Sequence, residues 1–502
     1  MNIIRERDLE LFNQHIGEIQ EKVKEMTWDL IEPRGDLKME IVNKLIDFVK
    51  KKKRKIYGSY AQNKIIGLKN KKDEFLGKLD VPDIDFYSPD PLTDLFEICN
   101  MFYEMGYKDV VGREAQHEET YKIFVDEVET CDISYVPRNI YNKIPFIEID
   151  GAVYTHPNFL FIDLFRVFTD PLTSWEQKLD KRFKRFYLLQ KYYPFAKLEK
   201  NLDINFNENR EEFINICYKI LQFATNNKSI IISGIYAFNY FLQESGNKQF
   251  KQTDINYFEL YSGNYQKDTL ELINLLTNFY QDKLSYIEHY PFFQFTDFST
   301  RIYYKKKLIC IIYGNNHKCL PYNEVKAIHF EKNKSKPLEG KINLASFNLL
   351  LLNLLISYTY YRTNDDSKHK DICMSLISQA IQCRNFYLDK NKKNIFNGGI
   401  FNDFIVDCIG ATITAKKLYS DRIKENLEKK RPAIFQYRPS EHIQKNSHDF
   451  HFKNSSGNPI NNEKNLKLRN YGHDINVNNA DKLNTSLIYT NIDTDSSNYL
   501  II

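Results

Sequence analysis

No two of the eight cysteines (Cys99, Cys131, Cys217, Cys310, Cys319, Cys373, Cys383 and Cys408) stand at CxxC or Cys/His ligand spacing. That excludes a zinc module and predicts a chain without a disulfide framework, suited to a reducing compartment. Charge of one sign is lacking too. The 70 Lys and Arg against 66 Asp and Glu leave a formal +4, so affinity for nucleic acid must come from local clustering. Long hydrophobic runs are missing: the longest, around Leu349 to Ile356, contains Asn353 and is too short to cross a bilayer. Arg5, Glu6, Arg7 and Asp8 rule out a signal peptide. These absences predict a soluble intracellular protein with no membrane partner. What remains is ordinary globular material, 42% hydrophobic and 27% charged over 502 residues, enough for two or three domains. Its 34 tyrosines suit base stacking, but an Ile/Asn/Lys/Tyr-rich codon bias accounts for most of them.

Leu9, Phe12, Ile16, Ile19, Val23 and Met26 fall at helical spacing and predict an amphipathic helix ending before Pro33. A second helix starts near Asp36 and ends in six consecutive basic residues, Lys50 to Lys55, read as a solvated helix end favoured by the dipole. Strands are predicted over Ile56-Tyr57, Val81 to Tyr87, Tyr121 to Val128 and Thr130 to Val136, and helices over Leu95 to Tyr107 and Pro171 to Tyr193. Beyond these come a helix near Glu211 to Phe223, paired strands at Phe292 to Tyr304 and Lys307 to Tyr313, and an apolar helix from Asn343 to Ile356. From Pro432 the composition turns to Asn, Ser, Asp and Lys, which predicts a flexible or extended tail. The expected division is an N-terminal helical segment (1–35), a first module (36–200), a second module (201–431) and the polar tail (432–502).

The two modules share a motif. Tyr57-Gly58-Ser59-Tyr60-Ala61-Gln62-Asn63 precedes Asp83-Ile84-Asp85; Ser233-Gly234-Ile235-Tyr236-Ala237-Phe238-Asn239 precedes Asp254-Ile255-Asn256. Gly, Tyr, Ala and Asn recur in register, and the intervals are similar, 25 residues from Gly58 to Asp83 and 20 from Gly234 to Asp254. On this alignment the second copy has lost Ser59 (to Ile235) and one acid (to Asn256). One live and one decayed copy separate what the fold needs from what chemistry needs.

Asp83 and Asp85, two apart on a predicted strand, project from one face. Two such carboxylates repel each other unless a cation sits between them, and Mg²⁺ is the hard ion that takes oxygen ligands and phosphates. A third acid would complete a two-ion site, one ion activating a hydroxyl and the other holding a triphosphate. Asp132, in Glu129-Thr130-Cys131-Asp132-Ile133-Ser134-Tyr135, is that candidate. Aligning Tyr135 on Tyr313, 77 residues from Gly58 and 79 from Gly234, sets Cys310 opposite Asp132 and leaves the second copy one acid of three. Gly58 lets backbone N–H groups approach phosphate, and the Ser59 hydroxyl can donate to it. A DxD alone carries nothing; Asp493-Thr494-Asp495 in the tail is another. The competing reading is a Gly-Ser turn with surface acids on an edge strand.

The Gly-Ser, Asp-x-Asp and Asp pattern resembles the DNA polymerase β-type nucleotidyltransferase superfamily. More narrowly, the chain resembles the poly(A) polymerase catalytic subunits of poxviruses and giant viruses. Gly58-Ser59-Tyr60-Ala61, Val81-Pro82-Asp83-Ile84-Asp85-Phe86, Ile162-Asp163-Leu164-Phe165-Arg166 and Asp170 to Lys178 with Lys181-Arg182 carry that likeness. It implies an α+β nucleotidyltransferase fold, a mixed sheet with flanking helices, duplicated as one active and one degenerate module. It also implies template-independent transfer of AMP from ATP to an RNA 3′ end, in a viral protein of the virion or host cytoplasm. By the same resemblance Asp83, Asp85 and Asp132 would bind Mg²⁺ (or Mn²⁺), with Asp132 helping to deprotonate the 3′-hydroxyl, and Gly58 and Ser59 would hold the triphosphate. A homodimer is implied by the giant-virus relatives and a separate processivity factor by the poxvirus ones.

Lys178, Lys181 and Arg182 either contact nucleotide phosphates and RNA or simply face water opposite Phe183, Phe186, Tyr187 and Leu189. Arg301 with Lys305 to Lys307 reads as a solvated hairpin turn, with an RNA track as the other reading, and His156 as a structural histidine. The rivals in function are a uridylyl- or CCA-adding enzyme, which shares the acids, and an inactive RNA-binding subunit.

Overall fold

The structure, a computed structural model, describes residues 6–30, 35–77, 80–117, 119–196, 210–280, 283–331 and 334–442. The first half of the chain contains α1 (Glu6–Leu30), α2 (Gly35–Lys51), β1 (Lys55–Tyr57), α3 (Gly58–Lys69), β2 (Ile84–Ser88) and α4 (Pro91–Glu104). There follow β3 (Val110–Glu114), β4 (Thr120–Val125), β5 (Val128–Tyr135), α5 (Arg138–Lys143), β6 (Phe146–Ile149), β7 (Ala152–Thr155), α6 (Pro157–Phe168) and α7 (Pro171–Tyr192). The second half contains α8 (Arg210–Asn226), β8 (Ile230–Ser233), α9 (Gly234–Ser245), β9 (Phe258–Ser262), α10 (Tyr265–Tyr280), β10 (Leu284–His289) and β11 (Ser299–Tyr304). It continues with β12 (Lys307–Gly314), β13 (Leu320–Glu331), β14 (Lys334–Ala345), α11 (Phe347–Thr363) and α12 (Ser367–Lys390). Last come β15 (Cys408–Ile409), α13 (Ala415–Glu428), β16 (Gln436–Tyr437) and α14 (Pro439–His442).

This is an α+β architecture with two mixed sheets, ordered β16-β3-β4-β5-β2-β1-β7-β6 and β10-β11-β12-β9-β8-β14-β13-β15. Without the two-residue strands β16 and β15, the orders coincide when β1 is matched to β8, β2 to β9, β5 to β12 and β7 to β14. Strand directions match as well: β1–β2 and β8–β9 are antiparallel, β2–β5 and β9–β12 parallel, β1–β7 and β8–β14 parallel.

The recurring motif residues have structural work to do. Gly58 and Gly234 both have positive φ, +74 and +61, which a glycine adopts freely. Ala61 and Ala237 are fully buried. Asn63 Oδ1 accepts from the Phe75 and Leu76 N–H groups, and Asn239 Oδ1 from the Thr253 N–H, so each asparagine clamps the loop after its helix. Tyr236 donates its hydroxyl to the Ile328 carbonyl, while Tyr60 packs near Tyr154.

Several expectations change. The strand expected from Val81 begins at Ile84, because Pro82 offers no N–H to a ladder. The apolar helix expected from Asn343 begins at Phe347; Asn343 still pairs with Ile231 in β14, and the Ser346 hydroxyl caps the helix by accepting from the Leu349 N–H. The β13–β14 hairpin escaped the sequence reading because Lys, Glu, Asn and Pro interrupt the apolar alternation of its strands.

The Lys50 to Lys55 run is not merely solvated. Lys55 is 5% exposed and donates to the Tyr141 and Ile144 carbonyls, and the Arg54 guanidinium pairs with the buried Asp94 carboxylate at 2.7 Å. Lys305 and Lys306 form the β11–β12 turn with φ of 48 and 66, but Arg301 lies apart from them in mid-strand. The tail expected from 432 starts with order: β16 pairs with β3, and Tyr437 packs edge-on against Phe96. Residues 443–502, including Asp493 and Asp495, lie outside the described residues.

Cys319 and Cys408 form a disulfide across 89 residues, against the expectation of none. The β13–β15 pairing, Leu320 with Ile409 and Pro321 with Cys408, brings them together, and no local spacing could announce it. No helix among the described residues is long and apolar enough to cross a membrane.

Candidate active site

The β1–α3 turn and the acids are built as one unit. A Cβ on Gly58 would run into the Asp85 carboxylate, so only glycine lets the backbone of this turn lie against the acid. Ser59 follows in the first turn of α3, whose first N–H groups have no side-chain cap from Tyr57. The turn therefore offers backbone donors and the positive end of a helix dipole to an anion.

Asp85 on β2 stands beside Asp132 on β5, as register partners on adjacent parallel strands. Asp83 lies just ahead of β2 and is exposed. The Asp85 carboxyl is held well above the usual carboxylate range by burial, then by Asp132 and Asp83. Asp132 is raised by burial, with Lys122 opposing and Glu129 and Asp83 reinforcing. Asp83 is raised by burial of its carboxyl and by Glu129, although the residue as a whole is exposed. Asp83 thus raises both of the others and Asp132 raises Asp85, an arrangement that a cation would relieve.

One cation is supplied by the chain. Lys122 on β4 donates to both Asp132 oxygens, at 3.0 and 3.1 Å, and pairs with Glu129. Sequence reasoning missed Lys122, since only the antiparallel β4–β5 register sets it opposite Asp132. Behind the acids, the Tyr57 and Tyr87 rings stack at 4.1 Å. Tyr57 shares a hydrogen bond with Ser134, while Tyr87 donates to Asp163, which pairs with Arg166.

Of the basic residues on α7, Arg182 is within electrostatic reach of Asp85. Arg185, not among the predicted ligands, reaches the same carboxylate. Lys178 lies near His117, together with Arg166, Lys122 and Lys318. Lys181 is exposed on the same helix. His156 caps α6, its Nδ1 accepting from the Asn158 N–H, as a structural histidine would.

The second module corrects the alignment of its lost acids. Ser233 pairs with Glu259 as Tyr57 pairs with Asp85, and a Cβ on Gly234 would meet the Glu259 carboxylate. Glu259, not Asp254 or Asn256, therefore occupies the Asp85 position, and Tyr257 that of Asp83. In β12, Ile311 pairs with Glu259, so Ile311 stands for Asp132 and Cys310 for Cys131. Arg301 takes the Lys122 position.

Glu259 is buried, accepts from Asn353 Nδ2 at 3.0 Å, and is pushed up to about 7 chiefly by burial, against the pull of Asn353 and Arg301. A carboxyl raised in the folded state stabilises fully below its unfolded value and loses that contribution as pH rises through about 7. Glu259→Gln should flatten the stability curve between roughly pH 4.5 and 7, by on the order of 3 kcal/mol. Melting curves across that window check it; an unchanged pH slope in the variant refutes it.

Two family models match the chain: the poly(A) polymerase catalytic subunit over residues 43–174, and the C-terminal part of the mimivirus putative poly(A) polymerase catalytic subunit over residues 187–470. A putative poly(A) polymerase catalytic subunit from Acanthamoeba polyphaga mimivirus is 34% identical over 466 residues, covering 86% of this chain and 79% of that protein. The chain belongs to the viral poly(A) polymerase catalytic subunit family. A relative of the same description from African swine fever virus (strain Badajoz 1971 Vero-adapted) is 31% identical over 153 residues, 30% of this chain and 32% of that one. The crystal structure of the Megavirus polyadenylate synthase superposes with a TM-score of 0.80 at 30% identity, covering 92% of this chain and 93% of that one. Membership in this poly(A) polymerase family agrees with the resemblance carried by the Gly-Ser and Asp-x-Asp residues.

Proposed function

We propose that this chain adds AMP from ATP to the 3′-hydroxyl of RNA without a template, releasing pyrophosphate. The observation that carries the reading is Asp85 paired with Asp132 beside the Gly58 turn, with Asp83 in electrostatic reach, in a chain of the poly(A) polymerase family. Asp83, Asp85 and Asp132 fit Mg²⁺ (or Mn²⁺): they are hard oxygen donors, and burial together with neighbouring acids raises all three. Among the described residues no three His, Cys, Asp or Glu side chains converge closely enough to hold a metal ion, and the Lys122 ammonium lies against Asp132. Bound there, the ions would supply charge neutralisation at the phosphates and activation of the hydroxyl.

The chain's own residues do the rest. Gly58 and Ser59 hold the triphosphate against the start of α3. Asp132 takes the proton from the 3′-hydroxyl once Lys122 has released it. Arg182, Lys178 and Lys181 balance phosphate charge along α7. Such a site works by positioning and by preorganised charge. Residues 36–200 form the catalytic module on this reading, and 201–431 its degenerate copy. The protein acts as a homodimer, or with a viral processivity factor, in the virion or the host cytoplasm.

The test is primer extension on an oligo(A) RNA with each of the four nucleoside triphosphates, with Mg²⁺ or Mn²⁺. Preference for ATP is expected. Preference for UTP would replace the reading with uridylyl transfer, and no extension with any triphosphate would leave an inactive RNA-binding subunit.

A further inference from the structure

An exposed aromatic stack sits on the seam between the two modules, beside the basic face of α7. Phe396 is 71% exposed and lies stacked on Phe404, with ring centroids 5.3 Å apart and planes at 24°. Phe404 in turn touches Trp175 (5.7 Å) and Phe183 (5.9 Å), both on α7 of the other module.

The loop that carries these rings is pinned. The Phe396 N–H donates to Asn394 Oδ1 and the Asn394 N–H to Asn397 Oδ1. The Asp403 N–H donates to the Ile395 carbonyl, Asp403 pairs with Arg384, and Asn348 Nδ2 holds the Asp403 carbonyl. Trp175 is fixed by its indole N–H, which donates to the Val167 carbonyl at 3.0 Å. A large apolar ring held out in water on a tied-down loop loses little conformational freedom when something stacks on it.

Charge says what that is. Lys178, Arg182 and Arg185 recur at four and three residues and so share a face of α7, with Lys181 beside them. Trp175, which also rests on Phe404, lies three residues before Lys178 and seven before Arg182, on the same side of α7. The stack therefore begins on the side of α7 that carries the residue reaching the Asp85 carboxylate. Aromatic faces flanked by a basic track are what single-stranded nucleic acid requires, bases stacking on rings while phosphates follow the cations.

We propose that the Phe396–Phe404 stack, backed by Trp175 and flanked by the basic face of α7, seats unpaired bases of the RNA primer upstream of its 3′ end. The proposal rests on the polyadenylation reading for the identity of the RNA as primer. It assigns the second module a part in substrate binding, through a loop rather than through its decayed acids.

The test measures binding of a fluorescein-labelled single-stranded oligo(A) to the full chain by anisotropy, without ATP or metal, alongside primer KM and ATP KM in extension assays. Phe396→Ala should weaken oligo(A) binding on the order of tenfold and raise primer KM by the same factor, with ATP KM not following. Phe396→Trp should restore binding and Phe396→Leu should not, because bulk without a π face cannot stack. Binding of a blunt RNA duplex, whose bases are already stacked, should not change between variants. Equal oligo(A) affinity for wild type and Phe396→Ala overturns the proposal, as does full rescue by Phe396→Leu. Loss of self-association in Phe396→Ala with RNA affinity intact overturns it in favour of a protein interface. Wild-type protein that binds oligo(A) through Phe396 yet extends no primer would refute the catalytic reading and leave the stacking seat standing.

Discussion

Asp85→Asn is expected to leave a folded protein that extends an RNA primer on the order of a thousandfold more slowly, or not at all, the scale on which losing a preorganised charge contact acts. The asparagine keeps the shape of the side chain and removes its charge. In the wild type that charge is crowded by burial, by Asp132 and by Asp83, with Lys122, Arg182 and Arg185 offsetting it. Without a divalent ion the carboxylate therefore weakens the fold it sits in, and the variant should melt at or above the wild-type temperature in a chelator. Adding Mg²⁺ should raise the wild-type melting temperature and leave that of the variant nearly still. Single-turnover AMP incorporation and melting with and without Mg²⁺ check both halves. Asp83→Ala should behave alike in activity, and wild-type turnover in either variant would remove the acids from the mechanism.

Gly58→Ala should lose activity by about a hundredfold or more, through position rather than charge. Its φ of +74 costs an L-residue roughly 1–2 kcal/mol, and the new Cβ would collide with the Asp85 carboxylate. Either Asp85 rotates away or the turn lifts off β2. Both outcomes part the triphosphate seat from the acid, and a displacement of about 1 Å is enough for a hundredfold loss. Gly234→Ala is the matched control, with φ of +61 and the same collision against Glu259. It should lower the melting temperature, while the folded fraction keeps its turnover, since Glu259 serves packing alone. Full activity in Gly58→Ala, or equal catalytic loss in both variants, would contradict the proposed division of labour between the modules.

The residues that could be read in advance are those whose signal is local. Gly58 and Ser59 open a helix directly after a strand, and Asp83-Ile84-Asp85 follows the two-residue period of extended chain. Asp132 was reachable because its flanks, Thr130, Cys131, Ile133 and Tyr135, are strand formers in a short segment. What escaped was carried by register or by distance along the chain. Motif spacing puts the Asp85 counterpart at Asn256 rather than Glu259 because it does not reveal where β9 begins; the ladder with Ser233 does. Arg54 and Lys55 looked like solvated charge until Asp94 and two carbonyls of α5 and the turn after it were seen to receive them.

The sequence by itself determined a duplicated α+β chain, a glycine turn set against paired acids, and a second copy stripped of most of its charge, because turns, periods and repeats are written within a few residues. Only the tertiary structure decided which side chains meet across strands and modules. Lys122 on Asp132, Cys319 with Cys408, β16 on β3 and Phe404 on Trp175 all depend on hydrogen-bond register and on packing between segments far apart in the chain. A one-residue slip in such pairing turns every side chain to the opposite face, and nothing local in the chain fixes it.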